Sequence, residues 1–107
     1  MYKVLVFAGT TEGYEICRFL ADHKIETKGF VATEYGSKSL TESEFLTVQT
    51  GRLDSAAMEE TFLQEKPEMV LDATHPYAAE VTVNIRTACE NTQTAYYRVL
   101  REAGEHE

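Results

Sequence analysis

The stretch that decides the fold is Tyr2-Lys3-Val4-Leu5-Val6-Phe7-Ala8-Gly9-Thr10-Thr11-Glu12-Gly13, continued by Tyr14 to His23. Its first half is an apolar run rich in Val that ends at Ala8-Gly9, which predicts a strand buried on both faces. From Gly13 the spacing changes to Gly13, Ile16, Cys17 and Leu20, the i, i+3, i+4, i+7 stripe of an amphipathic helix reaching about His23. A buried strand that turns through a glycine into a helix is the opening unit of a parallel α/β sheet.

Outward from that unit the alternation repeats. Glu26 to Thr33 predicts a second strand, Tyr35 to Glu44 a polar loop, and Phe45 to Gln49 a third strand. After Gly51-Arg52-Leu53, Asp54 or Ser55 is a good N-cap for a helix carrying Met58 and Phe62, which Lys66-Pro67 stops. Glu68 to Asp72 predicts a fourth strand. Pro76 then suits the first turn of a helix with the stripe Val81, Ile85, Ala88, Cys89, and Ala95 to Leu100 predicts a fifth strand. The expected domain is residues 1–101, with 102–107 a charged tail or linker. No hairpin signal and no internal repeat interrupt the pattern, so the fold class is α/β, a doubly wound, Rossmann-like parallel sheet in three α/β/α layers. Of the two common five-strand orders, 3-2-1-4-5 and 2-1-3-4-5, only the first makes the strands ending at Phe7 and Asp72 neighbours.

Composition narrows the function. The 107 residues include 18 Asp and Glu against 10 Lys and Arg, a formal charge of -8, with 43% hydrophobic residues. Such acidity argues against nucleic-acid binding. The charge is uneven, however: residues 1–53 hold 6 basic and 7 acidic groups, residues 54–107 hold 4 and 11. An anionic dinucleotide can therefore dock on the nearly neutral first half. The longest apolar run, Val4 to Ala8, is far short of the ~20 residues of a membrane-spanning helix. Because Met1-Tyr2-Lys3 leads straight into a strand, a cytosolic chain is expected. Cys17 and Cys89 fall on apolar helix faces with no metal-ligand spacing to another Cys or His, so two buried thiols and no metal site are expected.

Two loops can carry chemistry, and the chosen order brings both to one crevice: Ala8-Gly9-Thr10-Thr11-Glu12-Gly13 and Asp72-Ala73-Thr74-His75-Pro76-Tyr77. In the first, Gly9 permits the tight turn, Thr10 and Thr11 present hydroxyls and amides at a helix N-terminus, and Gly13 packs on the sheet, as a phosphate cradle requires. Thr11 stands where the second glycine of G-x-G-x-x-G would be. At the end of the second strand, Glu34 can serve the ribose hydroxyl of NAD, whereas Thr33, Ser37, Lys38 and the later Arg52 can hold a 2'-phosphate, and spacing does not decide. Arg52 can equally pair with Asp54 at the surface. In the second loop, His75 can contact a ribose, a phosphate or a reacting group, or simply lead into the helix. Asp72 is a candidate acid if desolvated, though a carboxylate that receives loop amides is the commoner case at a strand end.

Taken together, the segments Gly9-Thr10-Thr11-Glu12-Gly13, Gly51-Arg52-Leu53-Asp54, Asp72-Ala73-Thr74-His75-Pro76-Tyr77-Ala78 and Tyr97-Arg98-Val99-Leu100-Arg101 resemble, in order, the precorrin-6A reductase family of cobalamin biosynthesis, in its cobalt-free and cobalt-containing branches. The resemblance covers nearly the whole chain but only the amino-terminal half of that two-domain enzyme. It implies hydride transfer from NADPH to a ring double bond of a polyanionic corrin precursor, with a proton delivered to the neighbouring carbon. It also implies that Gly9, Thr10, Thr11, Glu12 and Gly13 hold pyrophosphate, while Thr33 and Arg52, from their places after the second and third strands, are expected at the adenosine end. Thr74, His75 and Tyr77 would line the nicotinamide end, and Arg98 and Arg101 would meet substrate carboxylates. The catalytic residue stays open between Asp72 and His75. The partners implied are the substrate and a carboxyl-terminal domain absent from this chain, which alone is then expected to be inactive. A non-catalytic nucleotide-binding or sensor module built on the same first loop is the alternative, with a plain interaction domain behind it.

Overall fold

The computed structural model describes residues 2–100. Five strands, β1 (Val4–Ala8), β2 (Thr27–Val31), β3 (Leu46–Thr50), β4 (Met69–Ala73) and β5 (Tyr96–Arg98), form one sheet in the order β3-β2-β1-β4-β5. Every pairing is parallel, and Phe7 stands opposite Phe30 on one side and Asp72 on the other. The 3-2-1-4-5 order expected from the two motif loops is the order found. All five residues of β1 are buried, as its unbroken apolar run requires.

Four helices complete the layers: α1 (Thr11–Asp22), α2 (Glu34–Lys38), α3 (Ser55–Glu65) and α4 (Ala79–Thr92). Side chains alternate across β1, and two cores result. Leu5 and Phe7 pack with Phe30, Met58, Phe62, Val70, Ile85, Ala88 and Cys89 under α3 and α4. Val4, Val6 and Ala8 pack with Cys17, Val31, Leu40 and Leu46 on the α1 side. The Phe7 ring stacks on Phe30 with centroids 4.7 Å apart and meets Phe62 edge-on at 6.2 Å. Fully burying each such ring contributes about 1.5–3 kcal/mol. The closest approach of helix to sheet is at Gly13, where a Cβ would stand 3.0 Å from Ala8 Cα and 3.1 Å from Ala73 Cβ. A side chain there would have to push α1 away from both β1 and β4.

Three sequence expectations are corrected. The stretch Tyr35 to Glu44, read as polar loop, begins with the short helix α2, because Thr33 Oγ1 accepts from the Gly36 amide and caps it. The fourth helix starts at Ala79 rather than at Pro76: the Ala78 amide bonds to His75 O at 2.9 Å, closing a separate turn that holds Pro76 and Tyr77. The fifth strand is three residues long rather than six, although the Val99 amide still donates to Asp72 O. Arg101 and the tail 102–107 lie outside the described residues.

Candidate functional site

Because all strands run the same way, the β1–α1, β2–α2, β3–α3 and β4–α4 loops open at one edge of the sheet. The connections from β1 and β4 leave to opposite faces, and the crevice of a doubly wound sheet forms at that divergence. Thr10 ties the two loops together across it. Its Oγ1 donates to Ala73 O at 2.7 Å and accepts from the Gly13 amide at 3.2 Å, so one hydroxyl caps α1 and fixes β1's loop to the end of β4. The Tyr14 amide also bonds to Thr10 O, which leaves the Thr11 N–H, at the first position of α1, outside these bonds. Thr11 is exposed. Gly9 is exposed too, and a Cβ there would stand 3.9 Å from Thr74 Cα, in the space between the loops. Glu12, in the first turn of α1, lies on the flank with Glu15 and Val99.

The second loop is built on Asp72, which is fully buried. Its Oδ1 accepts from the Thr74 amide at 3.1 Å and from Thr74 Oγ1 at 2.7 Å, and its Oδ2 accepts from Thr82 Oγ1 at 2.8 Å and Tyr96 OH at 2.9 Å. Arg98 Nη1 lies 3.3 Å from Oδ1 and donates to Asp72 O at 2.9 Å. Burial pushes this carboxyl upward, but the bonds from Thr74, Thr82 and Tyr96 outweigh it and hold the pKa below its ordinary 3.8. Asp72 therefore stays ionised and anchors β4, α4 and β5 to one another. Of the two roles open in the sequence, the geometry matches the carboxylate that receives loop donors. Thr74 spends its hydroxyl on that anchor.

Beyond the anchor the loop turns outward. His75 is exposed, its Nδ1 accepts from the Tyr77 amide at 3.1 Å, and its ring lies 5.0 Å from the Tyr77 ring. With Nδ1 accepting, the neutral imidazole carries its proton on Nε2. Tyr77 is 91% exposed.

The remaining candidates flank this centre. Thr33 caps α2 just past the end of β2. Gly51 continues the pairing of β3 by donating to Val31 O at 2.8 Å, with φ +119° that a side chain would strain, and so brings exposed Arg52 next to the Thr33 loop. Arg52 forms no ion pair among the described residues, since Asp54 instead caps α3 through the Ala57 amide at 2.8 Å. Arg98 is turned inward onto Asp72, with its side chain only 20% exposed. Arg101 lies outside the described residues. Sequence reasoning missed Thr82 and Tyr96, the two donors from α4 and β5. The available signal was Asp72 itself, since a carboxylate ending a buried strand must find donors. Among the described residues no group of three or more His, Cys, Asp or Glu is placed to hold a metal ion. Nor, among the described residues, is any helix long and apolar enough to cross a membrane.

Comparison with known proteins adds the family. The solved structure of CobK precorrin-6A reductase superposes with a TM-score of 0.79 at 30% identity, over 94% of this chain and 39% of that one. The Bordetella bronchiseptica enzyme WbmH, solved in complex with NAD+, superposes with a TM-score of 0.67 at 18% identity, over 88% of this chain and 36% of that one, and shows the fold. The cobalt-precorrin-6A reductase of Methanothermobacter thermautotrophicus is 35% identical over 100 residues, which are 92% of this chain and 33% of the relative. The chain thus spans little more than a third of the proteins it matches. The family model "Precorrin-6x reductase CbiJ/CobK" matches residues 3–107, and the chain belongs to that family.

Proposed function

We propose that this chain is the cofactor-binding part of an NADPH-dependent reductase acting on a corrin precursor in cobalamin biosynthesis. The observation that carries the reading is the hydrogen bond from Thr10 Oγ1 to Ala73 O, which holds the two motif loops side by side at the divergence of the connections. A dinucleotide laid along that edge finds complementary groups in order. Near the centre, Gly9 keeps the gap between the loops clear, and the Thr11 amide and hydroxyl at the N-terminus of α1 face a pyrophosphate. Thr10, Glu12 and Gly13 serve this subsite by shaping it: Thr10 and Gly13 through the cap and the close packing, Glu12 through the first turn.

Toward β2 and β3, Thr33 and Arg52 meet the adenosine end, with the guanidinium available for a 2'-phosphate. Toward β4, Thr74 sets the loop while His75 and Tyr77 line the nicotinamide end, Tyr77 offering a ring to exclude water. NADPH, when bound, supplies the hydride. Of the two candidates His75 is the one that reaches the loop surface, because Asp72 is sealed and ionised; to pass a proton the ring must carry one on each nitrogen, which requires the Tyr77 amide to leave Nδ1. The polyanionic substrate would lie beyond β5, where Arg98 must share its guanidinium with Asp72 and Arg101 follows in sequence. A complete site also needs the polypeptide that the longer relatives carry, so no turnover is expected from this chain alone.

The test is a titration of the chain with NADPH, NADH and ATP, followed by calorimetry or nicotinamide fluorescence. An Arg–phosphate contact contributes about 1.5–3 kcal/mol, so NADPH should bind roughly tenfold or more tightly than NADH, and Arg52→Ala should make the two alike. Equal or tighter binding of ATP would support the nucleotide-sensor alternative instead.

A further inference from the structure

Arg98 reaches Asp72 with one corner of its guanidinium. Nη1 alone makes the contacts: 2.9 Å to Asp72 O, 3.3 Å to Asp72 Oδ1 and 3.4 Å to Val99 O. Nε and Nη2, an edge that can pair a carboxylate in a two-point fork, meet no acceptor among the described residues. N–H donors without acceptors are costly when sealed from water, so the exposed fifth of this side chain is that edge. The other end of the contact is the anchor of the second loop. Asp72 Oδ1 accepts from the Thr74 amide and hydroxyl at 3.1 and 2.7 Å, and Thr74 opens the segment that carries His75 and Tyr77. The bond from Arg98 to Oδ1 is the longest of those this carboxylate accepts.

We propose that Arg98 is a positioning residue: a carboxylate taken on its Nε–Nη2 edge is transmitted through Asp72 to the Thr74–Tyr77 loop. The guanidinium is planar and rigid, so its two edges move together. Held at Nη1 alone, it can tilt about that corner, and the tilt loosens its hold on Oδ1. Pinned on the opposite edge by a bidentate carboxylate, it cannot tilt, and Oδ1 is fixed together with the Thr74 donors on it. Arg rather than Lys is required, because an ammonium is a single point of charge with no second edge. The choice of a carboxylate-rich ligand rests on the reductase reading, in which the corrin precursor is the polyanion; the transmission rests on the geometry alone. Under that reading the substrate itself orders the nicotinamide end of the crevice.

The test needs no nucleotide. Nitrogen-labelled chain is titrated with tricarballylate, an aliphatic tricarboxylate that brings no ring current, and followed through its amide and Arg Nε–H signals and by hydrogen exchange. The Arg98 Nε–H shift should saturate below roughly 10 mM. The Thr74 and Tyr77 amides should move with the same midpoint, and exchange of the Thr74 amide should slow at least about threefold. Arg98→Lys, which keeps a charge facing Asp72, should abolish the loop shifts and weaken binding about tenfold. Arg86→Ala, which removes an exposed α4 charge that also acts on Tyr96, should change neither. No saturation by roughly 10 mM, shifts confined to β5 with exchange at Thr74 unchanged, or equal losses in the two variants would overturn the proposal. The first two outcomes are read on the wild-type chain and hold whether or not Arg98→Lys folds. Transmission to the loop without NADPH binding would keep this inference and remove the cofactor reading, and NADPH binding without transmission would do the reverse.

Discussion

Replacing Asp72 by Asn isolates the anchor of the second motif loop without changing its size. In the native chain the two carboxylate oxygens accept five hydrogen bonds, the fifth from the Arg98 guanidinium. An amide keeps one oxygen and puts an NH2 where the other stood, so either the Thr74 and Arg98 donors or the Thr82 and Tyr96 hydroxyls lose their acceptor. Leaving a buried donor unpaired costs about 1–3 kcal/mol, but the hydroxyls can rotate and Arg98 is partly solvated, so about 3 kcal/mol in total is expected. At 4–8 °C per kcal/mol for a domain of this size, that lowers Tm by roughly 12–24 °C. The difference should also depend on pH. The folded-state pKa of Asp72 is depressed, so its contribution is fully present above the unfolded value near 3.9 and is lost as pH falls through the folded value. Urea unfolding of both proteins at pH 7 and at pH 3 reads this directly: the gap should be large at pH 7 and narrower at pH 3. Stability of Asp72→Asn within about 0.5 kcal/mol of wild type at pH 7 would refute the anchor.

Other substitutions separate packing from ligand contact. Gly13→Val should destabilise the chain by about 1–3 kcal/mol or more in urea unfolding, because a Cβ there already meets Ala8 and Ala73 at 3.0–3.1 Å. Thr11→Ala should leave the melting curve nearly unchanged and weaken NADPH by about 1 kcal/mol in the calorimeter, the net value of one hydrogen bond. Thr10→Val should do both, losing about 1 kcal/mol of helix cap together with the tie to Ala73 and with it cofactor affinity. Burial pushes the Cys17 and Cys89 thiols up to about 12, so a thiol reagent at pH 8 should label neither until the chain unfolds. Their raised values also imply stability that is intact below pH ~8.5 and declines above it, which alkaline unfolding curves would show.

The sheet was legible because its signals are local: the run Val4 to Ala8 and the stripes of α1 and α4 each announce one element, and the need to bring Phe7 and Asp72 together selects the strand order. What escaped depends on tertiary context. The helix α2 is five residues long, too short for a periodic stripe, and is held by the Thr33 cap and by Gly36 packing on Val31. Pro76 is a genuine helix-start signal, yet the His75–Ala78 turn delays α4 by three residues. At the site, the close packing of Gly13 on the sheet was readable, whereas the bonds of Thr10 Oγ1 to Ala73 O and from the Gly13 amide, which make it a cap and a bridge, were not. Arg98 looked like a free charge at a strand end. Its partner is fixed by the β4–β5 register, which sets it opposite Asp72, and no spacing along the chain encodes that. For the same reason Thr82 and Tyr96 could not be chosen in advance as the donors Asp72 needed.

The central claim is that a dinucleotide lies across the carboxyl edge of this sheet, between the Gly9–Gly13 and Thr74–Tyr77 loops. A 107-residue chain is well suited to amide-resolved NMR, and titration of labelled protein with NADPH maps the contact residue by residue. The account predicts the largest shifts at Gly9, Thr11 and Glu12, at His75 and Tyr77, and at Arg52, with NADH reproducing all but the last. No shifts at saturating NADPH, or shifts centred on the amino-terminal edge of the sheet, would contradict it.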